Sequence, residues 1–148
     1  MVPVHTLEVL PTVEELNQTV GRAFLARLRA LIDEAGAASR INLAISGGAI
    51  TTSLLPSLLP FVGEVDWSRV RVWLVDERYV ASGDKDRNDD QAWEGFFRAA
   101  SGVEFVRMPT SDASAPGVGS LDEATAAFAA TWRELMGERS FDIALIGM

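Results

Sequence analysis

The sequence predicts an α/β fold in which helices cover both faces of a parallel sheet in three layers. Three short and mainly apolar runs, at residues 41–45, 70–75 and 141–146, are too short for helices and are typical of inner strands. Segments with helical periodicity alternate with these runs, so right-handed βαβ units are expected. A chain of 148 residues corresponds to one domain, and residues 1–148 are therefore assigned to a single α/β domain.

The first part of the chain is predicted to contain a strand, a long helix and a broken helix. Residues 2–10 alternate loosely between apolar and polar, as an edge strand does. Thr12 precedes a glutamate at capping-box spacing, and apolar residues then recur at helical spacing until Gly36, which predicts one helix. Pro56 would remove a backbone donor inside a helix, so only a short or broken helix is expected around it.

The later elements follow from the same signals. Asn88 precedes two aspartates and predicts the start of a helix. Residues 103–108 are predicted to form a strand, and residues 110–119 a flexible connection. Ser120 opens a second capping box, followed by an alanine-rich amphipathic helix that is expected to end at Gly137.

Composition excludes several classes of function. The net charge is −8 and the isoelectric point about 4.6, so nucleic acid and anionic membranes, which require a basic face, are not expected partners. The absence of cysteine excludes thiolate metal sites and favours a reducing compartment. His5 is the only histidine, which excludes a multi-histidine metal site. No membrane span or signal peptide is recognised, so a cytoplasmic location is expected.

A paired-glycine turn, Ser46-Gly47-Gly48, follows the first inner strand and precedes a predicted helix start at Ala49 or Ile50. Glycine permits backbone angles closed to other residues and a close approach to a ligand. The N–H groups and dipole of a helix that begins here would point over the turn, which favours a bound phosphate. The alternative is an ordinary tight βα turn without a ligand, because short glycine motifs also occur by chance.

Three consecutive charged residues, Asp76, Glu77 and Arg78, end the second inner strand. Charges fit there if the strand emerges at the carboxyl edge of the sheet, where open α/β sheets bind ligands. One of the acids would then hold a loop or transfer protons, and Arg78 would bind a phosphate. A local salt-bridge cluster with a helix cap accounts for the same residues equally well.

The ordered set of motifs resembles the 6-phosphogluconolactonase family. The motifs in this set are the glycine turn, Asp66-Trp67-Ser68, the run Asp76-Glu77-Arg78-Tyr79-Val80, Asp86, Asn88, Phe141-Asp142 and Leu145-Ile146-Gly147-Met148. The resemblance covers nearly the whole chain and implies the Rossmann-like core of the sugar-phosphate isomerase and deaminase group. It also implies hydrolysis of 6-phosphoglucono-1,5-lactone to 6-phosphogluconate in the pentose phosphate pathway, with no metal and no cofactor.

The resemblance implies a substrate-binding set at two strand ends and one helix start. In this set the two glycines line the crevice, the arginine holds the phosphate, the aspartate shapes the pocket, and the asparagine fixes the loop or contacts the sugar. The implied set is Ser46, Gly47, Gly48, Asp76, Arg78 and Asn88.

Departures from the family pattern bear on activity. Where the family continues its glycine pair with Ser-Thr-Pro this chain has Ala49-Ile50-Thr51, so Thr51 or Thr52 would have to supply a hydroxyl to the phosphate. The family's general base is a histidine in a Gly/Asp-Gly-His segment directly after Gly-Met, which would follow Met148. The resemblance thus implies a chain that lacks the C-terminal part of the family fold, holds no catalytic residue and is inactive or impaired. The exposed edge of its last strand would permit self-association.

Two other functions remain open at the level of sequence. A glucosamine-6-phosphate deaminase would use Asp76 to move protons on the sugar, although Arg78 and the Asp66-Trp67-Ser68 motif fit the lactonase better. A non-catalytic domain that binds a sugar phosphate would keep the crevice without the base, which the altered turn at Ala49 and Ile50 favours.

Overall fold

A computed structural model describes residues 4–112 and 119–148 and contains a parallel sheet of four strands. The strands are β1 (Ile41–Ile45), β2 (Val70–Leu74), β3 (Glu104–Val106) and β4 (Ile143–Leu145), in the order β3-β2-β1-β4. Ile45, the last residue of β1, lies opposite Leu74 and Leu145, so β1, β2 and β4 end at the same edge. The predicted parallel α/β sheet is confirmed.

The α-helices of the described residues are α1 (Val13–Glu34), α2 (Leu55–Ser57), α3 (Asn88–Gly95) and α4 (Leu121–Met136). Each predicted capping box is present in its hydroxyl half, in which the N-cap side chain accepts from the third amide of the helix. The hydroxyl of Thr12 accepts from the amide of Glu15 at 3.1 Å, and that of Ser120 from the amide of Glu123 at 3.2 Å. Gly137, with φ near +60°, ends α4 as predicted.

The segment after the glycine turn is helical but irregular. A π-helical turn, Ile50–Leu54, leads into the three residues of α2, and the 3₁₀ helix Leu59–Glu64 follows. Pro56 lies within the first two positions of α2, where its missing N–H costs least. This confirms the prediction of a short or broken helix around Pro56.

The sheet separates two clusters of apolar side chains, which makes three layers. On one face, β1 and β2 pack against α1, α2 and α3 through a large core that includes Leu28, Leu43, Leu55 and Phe96. On the other face Trp73 of β2 packs against α4, for example against the ring of Trp132 at a centroid distance of 5.0 Å. No helix among the described residues is both long enough and apolar enough to cross a bilayer.

Some predicted elements need correction. The predicted strand over residues 2–10 is wrong for residues 4–10, which have no regular secondary structure and leave Val4 and Leu7 89% exposed. Alternation of apolar residues does not form a strand without a neighbour to accept its hydrogen bonds. Residues 2–3 and 113–118, the latter inside the predicted connection, lie outside the described residues.

The run at 141–146 was expected to be an inner strand, but within the described part of the chain β4 pairs only with β1. It therefore forms one edge of the sheet, with Ala144 exposed and Ile146 60% exposed. Apolar composition predicted burial on both faces, whereas the position of a strand in a sheet depends on long-range pairing that no local pattern encodes.

Candidate active site

The edge at which the strands end is built from three segments: residues 46–48 after β1, residues 76–78 after β2 and residue 147 after β4. We call this edge the rim. Its segments are joined by backbone hydrogen bonds, from Val75 N to the Ile45 carbonyl at 2.9 Å and from Ser46 N to the Leu145 carbonyl at 3.0 Å. The glycine turn and the charged run therefore begin side by side at the carboxyl edge, as parallel pairing of β1 and β2 requires.

The two glycines of the turn are needed for different reasons. Gly48 has φ of +63°, a left-handed conformation that glycine adopts without strain. At Gly47 a β-carbon would overlap the side-chain amide of Asn88. The helical segment begins directly after the turn, with Ala49 as its N-cap and no side chain capping it. Its first N–H groups are thus directed over the turn, in the arrangement that favours an anion.

Asn88 connects two segments of the rim. It is the first residue of α3, and its side chain lies against Gly47. Its Nδ2 also donates a long hydrogen bond of 3.5 Å to the carbonyl of Asp76. The structure therefore brings the predicted residues Gly47, Asp76 and Asn88 together at one place.

The charged run divides into one buried residue and two exposed ones. The side chain of Glu77 is 2% exposed, and its carboxylate accepts from the amides of Arg78, Asn88 and Asp89, each at 2.8 Å. It thereby caps the N-terminus of α3. Asp76 and Arg78 are exposed at the rim. The cap interpretation is therefore correct for Glu77, while Asp76 and Arg78 remain open to a ligand.

Arg78 borders a cavity of about 250 Å³ that lies between the rim and α4. Met108 and Pro109, after β3, and Phe128 of α4 form apolar parts of its wall. Within residues 4–112 and 119–148 the guanidinium of Arg78 makes no ion pair. A larger cavity of about 820 Å³, between α1 and Leu59–Glu64, contains none of the predicted site residues. The smaller cavity is the better candidate, because the exposed cation of Arg78 lies on it. Its wall does not include the glycine turn, Asp76 or Asn88, so Arg78 is the one member of the predicted substrate-binding set that lines it.

The hydroxyl groups around the glycine turn are used by the turn itself. Ser46 Oγ accepts from the amide of Gly147 at 2.8 Å, which ties the end of β4 to the end of β1. Thr51 is 2% exposed, and its hydroxyl lies 3.1 Å from both the Gly48 carbonyl and Gln91 Oε1. The expectation that Thr51 supplies a phosphate ligand is therefore wrong, because this hydroxyl is buried. Thr52 is exposed, but its hydroxyl donates to the same Gly48 carbonyl at 2.9 Å.

Two charged residues behind the rim, Arg87 and Asp89, are buried and were missed by sequence reasoning. Burial alone would lower the pKa of Arg87, but the hydrogen bonds and charge of Asp89 outweigh it and raise that pKa. Burial alone would raise the pKa of Asp89, but the bonds and charge of Arg87 lower it below the usual range. Both groups therefore stay ionised. Nothing in the hydrophobic pattern distinguishes them from the solvated charges around them.

The sequence has few side chains suited to acid–base catalysis at neutral pH, since His5 is its only histidine. His5 lies in the exposed N-terminal segment before α1. In the described ranges, 4–112 and 119–148, no group of three or more histidine, cysteine, aspartate or glutamate side chains is arranged to hold a metal ion. The rim thus offers binding groups, namely N–H donors, an amide and a guanidinium.

Fold and rim together define an α/β protein with a parallel sheet, a class in which ligands generally bind at the carboxyl edge. Within that class, the chain belongs to the glucosamine-6-phosphate isomerase/6-phosphogluconolactonase family, whose sequence profile matches residues 11–148. The resemblance drawn from the motifs is thereby confirmed.

Relatives and solved structures agree with this assignment. The 6-phosphogluconolactonase of Streptomyces coelicolor is 28% identical over 142 residues, which are 89% of this chain and 54% of that protein. That of Mycobacterium leprae is 37% identical over 79 residues, 53% of this chain and 28% of that protein. A crystal structure of a 6-phosphogluconolactonase from Shewanella baltica matches with a TM-score of 0.72 and 26% identity, covering 94% of this chain and 55% of the other. The chain spans about half the length of such relatives.

Proposed function

We propose that this chain forms the N-terminal, substrate-binding part of a 6-phosphogluconolactonase, which hydrolyses 6-phosphoglucono-1,5-lactone to 6-phosphogluconate. The observation that carries the proposal is the contact between Gly47 and Asn88 at the carboxyl edge of a parallel sheet, next to the strand end that continues into the exposed Arg78. A family relationship to proteins named 6-phosphogluconolactonase supports the choice of reaction.

In this proposal each rim group has a chemical task. The guanidinium of Arg78 forms charge-assisted hydrogen bonds with the phosphate, for which its planar fork is suited. Gly47 and Gly48 let the backbone approach the substrate closely. Asp76 shapes the pocket, and Asn88 holds the turn against the loop. Ser46 contributes indirectly, since its hydroxyl holds Gly147.

The general base is proposed to follow Met148 in the longer protein, in a Gly/Asp-Gly-His segment. Gly147 supports this location, because its amide donates to Ser46 Oγ at the rim. A residue that follows shortly after Gly147 would therefore start from the rim, where this proposal places the lactone. A general base contributes about 10²–10⁴-fold to rate, so the 148-residue chain is expected to bind substrate but to hydrolyse it slowly or not at all.

The test compares the longer protein with the 148-residue chain in lactone hydrolysis, with the spontaneous rate subtracted. We expect the longer protein to accelerate hydrolysis, and replacement of the histidine by alanine to remove about 10²-fold or more of that acceleration. A longer protein that leaves the lactone at its spontaneous rate contradicts the proposal. Release of ammonia from glucosamine 6-phosphate would identify the deaminase reaction instead.

Two further statements belong to the proposal. The protein is placed in the cytoplasm because its lack of cysteine fits a reducing compartment, and recovery in a periplasmic or secreted fraction would contradict this. Self-association of the 148-residue chain is proposed at β4, because β4 presents an unpaired edge within the described residues.

A further inference from the structure

Arg87 is a buried cation in the loop between β2 and α3. Its side chain is 1% exposed, and a buried charge is stable only where protein groups replace its water. A guanidinium has five N–H donors, and all five are used here. Two go to the carboxylate of Asp89, from Nη2 at 2.6 Å and from Nε at 3.2 Å. The other three go to backbone carbonyls, so Arg87 has no donor left for a ligand.

The three carbonyls belong to the ends of two neighbouring strands. Arg87 Nη1 donates to the carbonyls of Arg78 at 2.9 Å and Pro109 at 3.3 Å, and Nη2 donates to that of Met108 at 2.8 Å. Arg78 follows β2, whereas Met108 and Pro109 follow β3. A single side chain therefore ties the chain after β2 to the chain after β3, directly behind the rim.

The backbone of Arg78 is fixed on both sides by this buried cluster. Its amide donates to Glu77 Oε1 at 2.8 Å, and its carbonyl accepts from Arg87. Glu77 itself lies 3.8 Å from the Nε of Arg87, so the two holding groups attract one another. The Arg78 side chain, in contrast, is exposed at the rim. The Arg78 backbone is therefore held by hydrogen bonds to two buried side chains, while its guanidinium is exposed and makes no ion pair within the described residues.

We propose that Arg87 is a positioning residue for ligand binding: it fixes the Arg78 backbone so that the Arg78 guanidinium is held ready for the phosphate. This inference rests on the proposed function, in which Arg78 binds that phosphate. A group that is ordered before binding loses less conformational entropy on binding, which raises affinity. Lysine cannot replace Arg87, because one ammonium has three donors and lacks the planar fork.

The test is a double-mutant cycle with 6-phosphogluconate as the titrated ligand, measured by calorimetry. Arg87→Lys is expected to weaken binding about tenfold in the unsubstituted protein and less than about twofold in an Arg78→Ala background. Equal weakening in both backgrounds, or none in either, overturns the proposal. Arg107→Lys is the matched control, because Arg107 also contacts Asp89, at 3.3 Å, but is partly exposed and, within the described residues, forms no hydrogen bond with Arg78. It should leave affinity unchanged.

Amide hydrogen exchange separates this inference from the proposed function. The amide of Val80 donates to the Arg78 carbonyl at 3.1 Å, so it reports on the same stretch of backbone. Arg87→Lys should speed exchange of the Arg78 and Val80 amides about tenfold while β1 and β2 stay protected. Unchanged exchange overturns the positioning role even if Arg78 binds phosphate. If Arg78→Ala leaves affinity intact, the proposed function fails and exchange alone decides whether Arg87 holds this backbone. Should Arg87→Lys not fold, Asp89→Asn takes its place with the same expected pattern, because it removes the paired charge and keeps the shape.

Discussion

At the scale of single residues, the contact between Gly47 and Asn88 restricts which amino acid the rim can accept at position 47. The backbone at Gly47 has no space for a β-carbon, because the side-chain amide of Asn88 fills it. At Gly48, its neighbour, an added β-carbon would meet no atom within 4 Å, so the positive φ is what favours glycine there. Sequence alone predicted a turn with two glycines, but a contact across 40 residues explains why the first is required.

Gly47→Ala is expected to destabilise the protein by about 1–3 kcal/mol, because the added methyl group displaces the Asn88 amide. In an Asn88→Ala background the same change should cost less than about 0.5 kcal/mol, since all three atoms nearest the new methyl group belong to Asn88. Urea unfolding of the four proteins measures this coupling. Equal costs in both backgrounds would show that the clash is absent.

Asp89 should make stability fall at acid pH. The pKa of its carboxyl is lower in the folded protein than in the unfolded chain. Its contribution is therefore complete above about pH 3.9, the usual unfolded value, and is lost as pH falls through the folded pKa. At pH 7 the Asp89→Asn variant should have a lower free energy of unfolding than the original protein. This difference between the two proteins should become smaller below about pH 4.

Urea unfolding of both proteins at several pH values between about 2.5 and 7 measures this difference in the free energy of unfolding. Asp122→Asn is the matched control, because Asp122 lies exposed in the first turn of α4. A difference between Asp89→Asn and the original protein that stays constant over the whole range would contradict the assigned pKa direction.

At the scale of elements, α3 depends on a cap from a distant part of the chain. Its N-cap residue, Arg87, makes no side-chain capping bond, and the carboxylate of Glu77 accepts from the first two amides of the helix instead. α1 and α4 are capped locally, by Thr12 and Ser120. A loop residue thus joins the end of β2 to the start of α3.

Glu77→Ala is expected to lower the free energy of unfolding by about 3 kcal/mol, because it leaves the partly buried amides of Asn88 and Asp89 without an acceptor and the buried Arg87 with one fewer counter-charge. Glu94 lies on the exposed side of α3 and, in the described part of the chain, pairs only with Arg98 at position i+4. Glu94→Ala should therefore cost about 0.5 kcal/mol or less. Chemical denaturation of both variants checks the contrast. Similar costs for the two would contradict the capping role.

The difference between the local caps of α1 and α4 and the cap that Glu77 provides for α3 also explains which features could be predicted from the sequence. The Thr12 and Ser120 boxes, the stop at Gly137 and the break around Pro56 are local signals and were predicted correctly. The burial of Arg87 and Asp89 was not, because the carbonyls that surround Arg87 come from separate segments, after β2 and after β3. The wrong strand at residues 4–10 has the same origin, since strand pairing is a property of the fold and not of one segment.

At the scale of the whole molecule, two features of the sheet determine behaviour: the rim, where three strand ends meet, and the open side of β4. Within the described ranges β4 has a partner on one side only, and Ala144 is exposed beside it. Unpaired strand edges promote association between chains unless charges block them.

Ala144→Lys should reduce self-association of the 148-residue chain, because a charge on an edge strand disfavours pairing with a second copy. Sedimentation velocity over a concentration series checks this, with Ala130→Lys, on the exposed side of α4, as the control for added charge. A monomer at all concentrations before substitution would contradict association through β4.

The central claim is that the glycine turn and Arg78 bind one phosphate at a common rim, and titration of 6-phosphogluconate tests it most directly. Arg98 serves as the matched control, because it is exposed and, among the residues that the structure describes, pairs only with Glu94 near the end of α3. We predict that Arg78→Ala weakens binding at least about tenfold, while Arg98→Ala leaves it unchanged. Equal affinity of the original protein and both variants would contradict the claim.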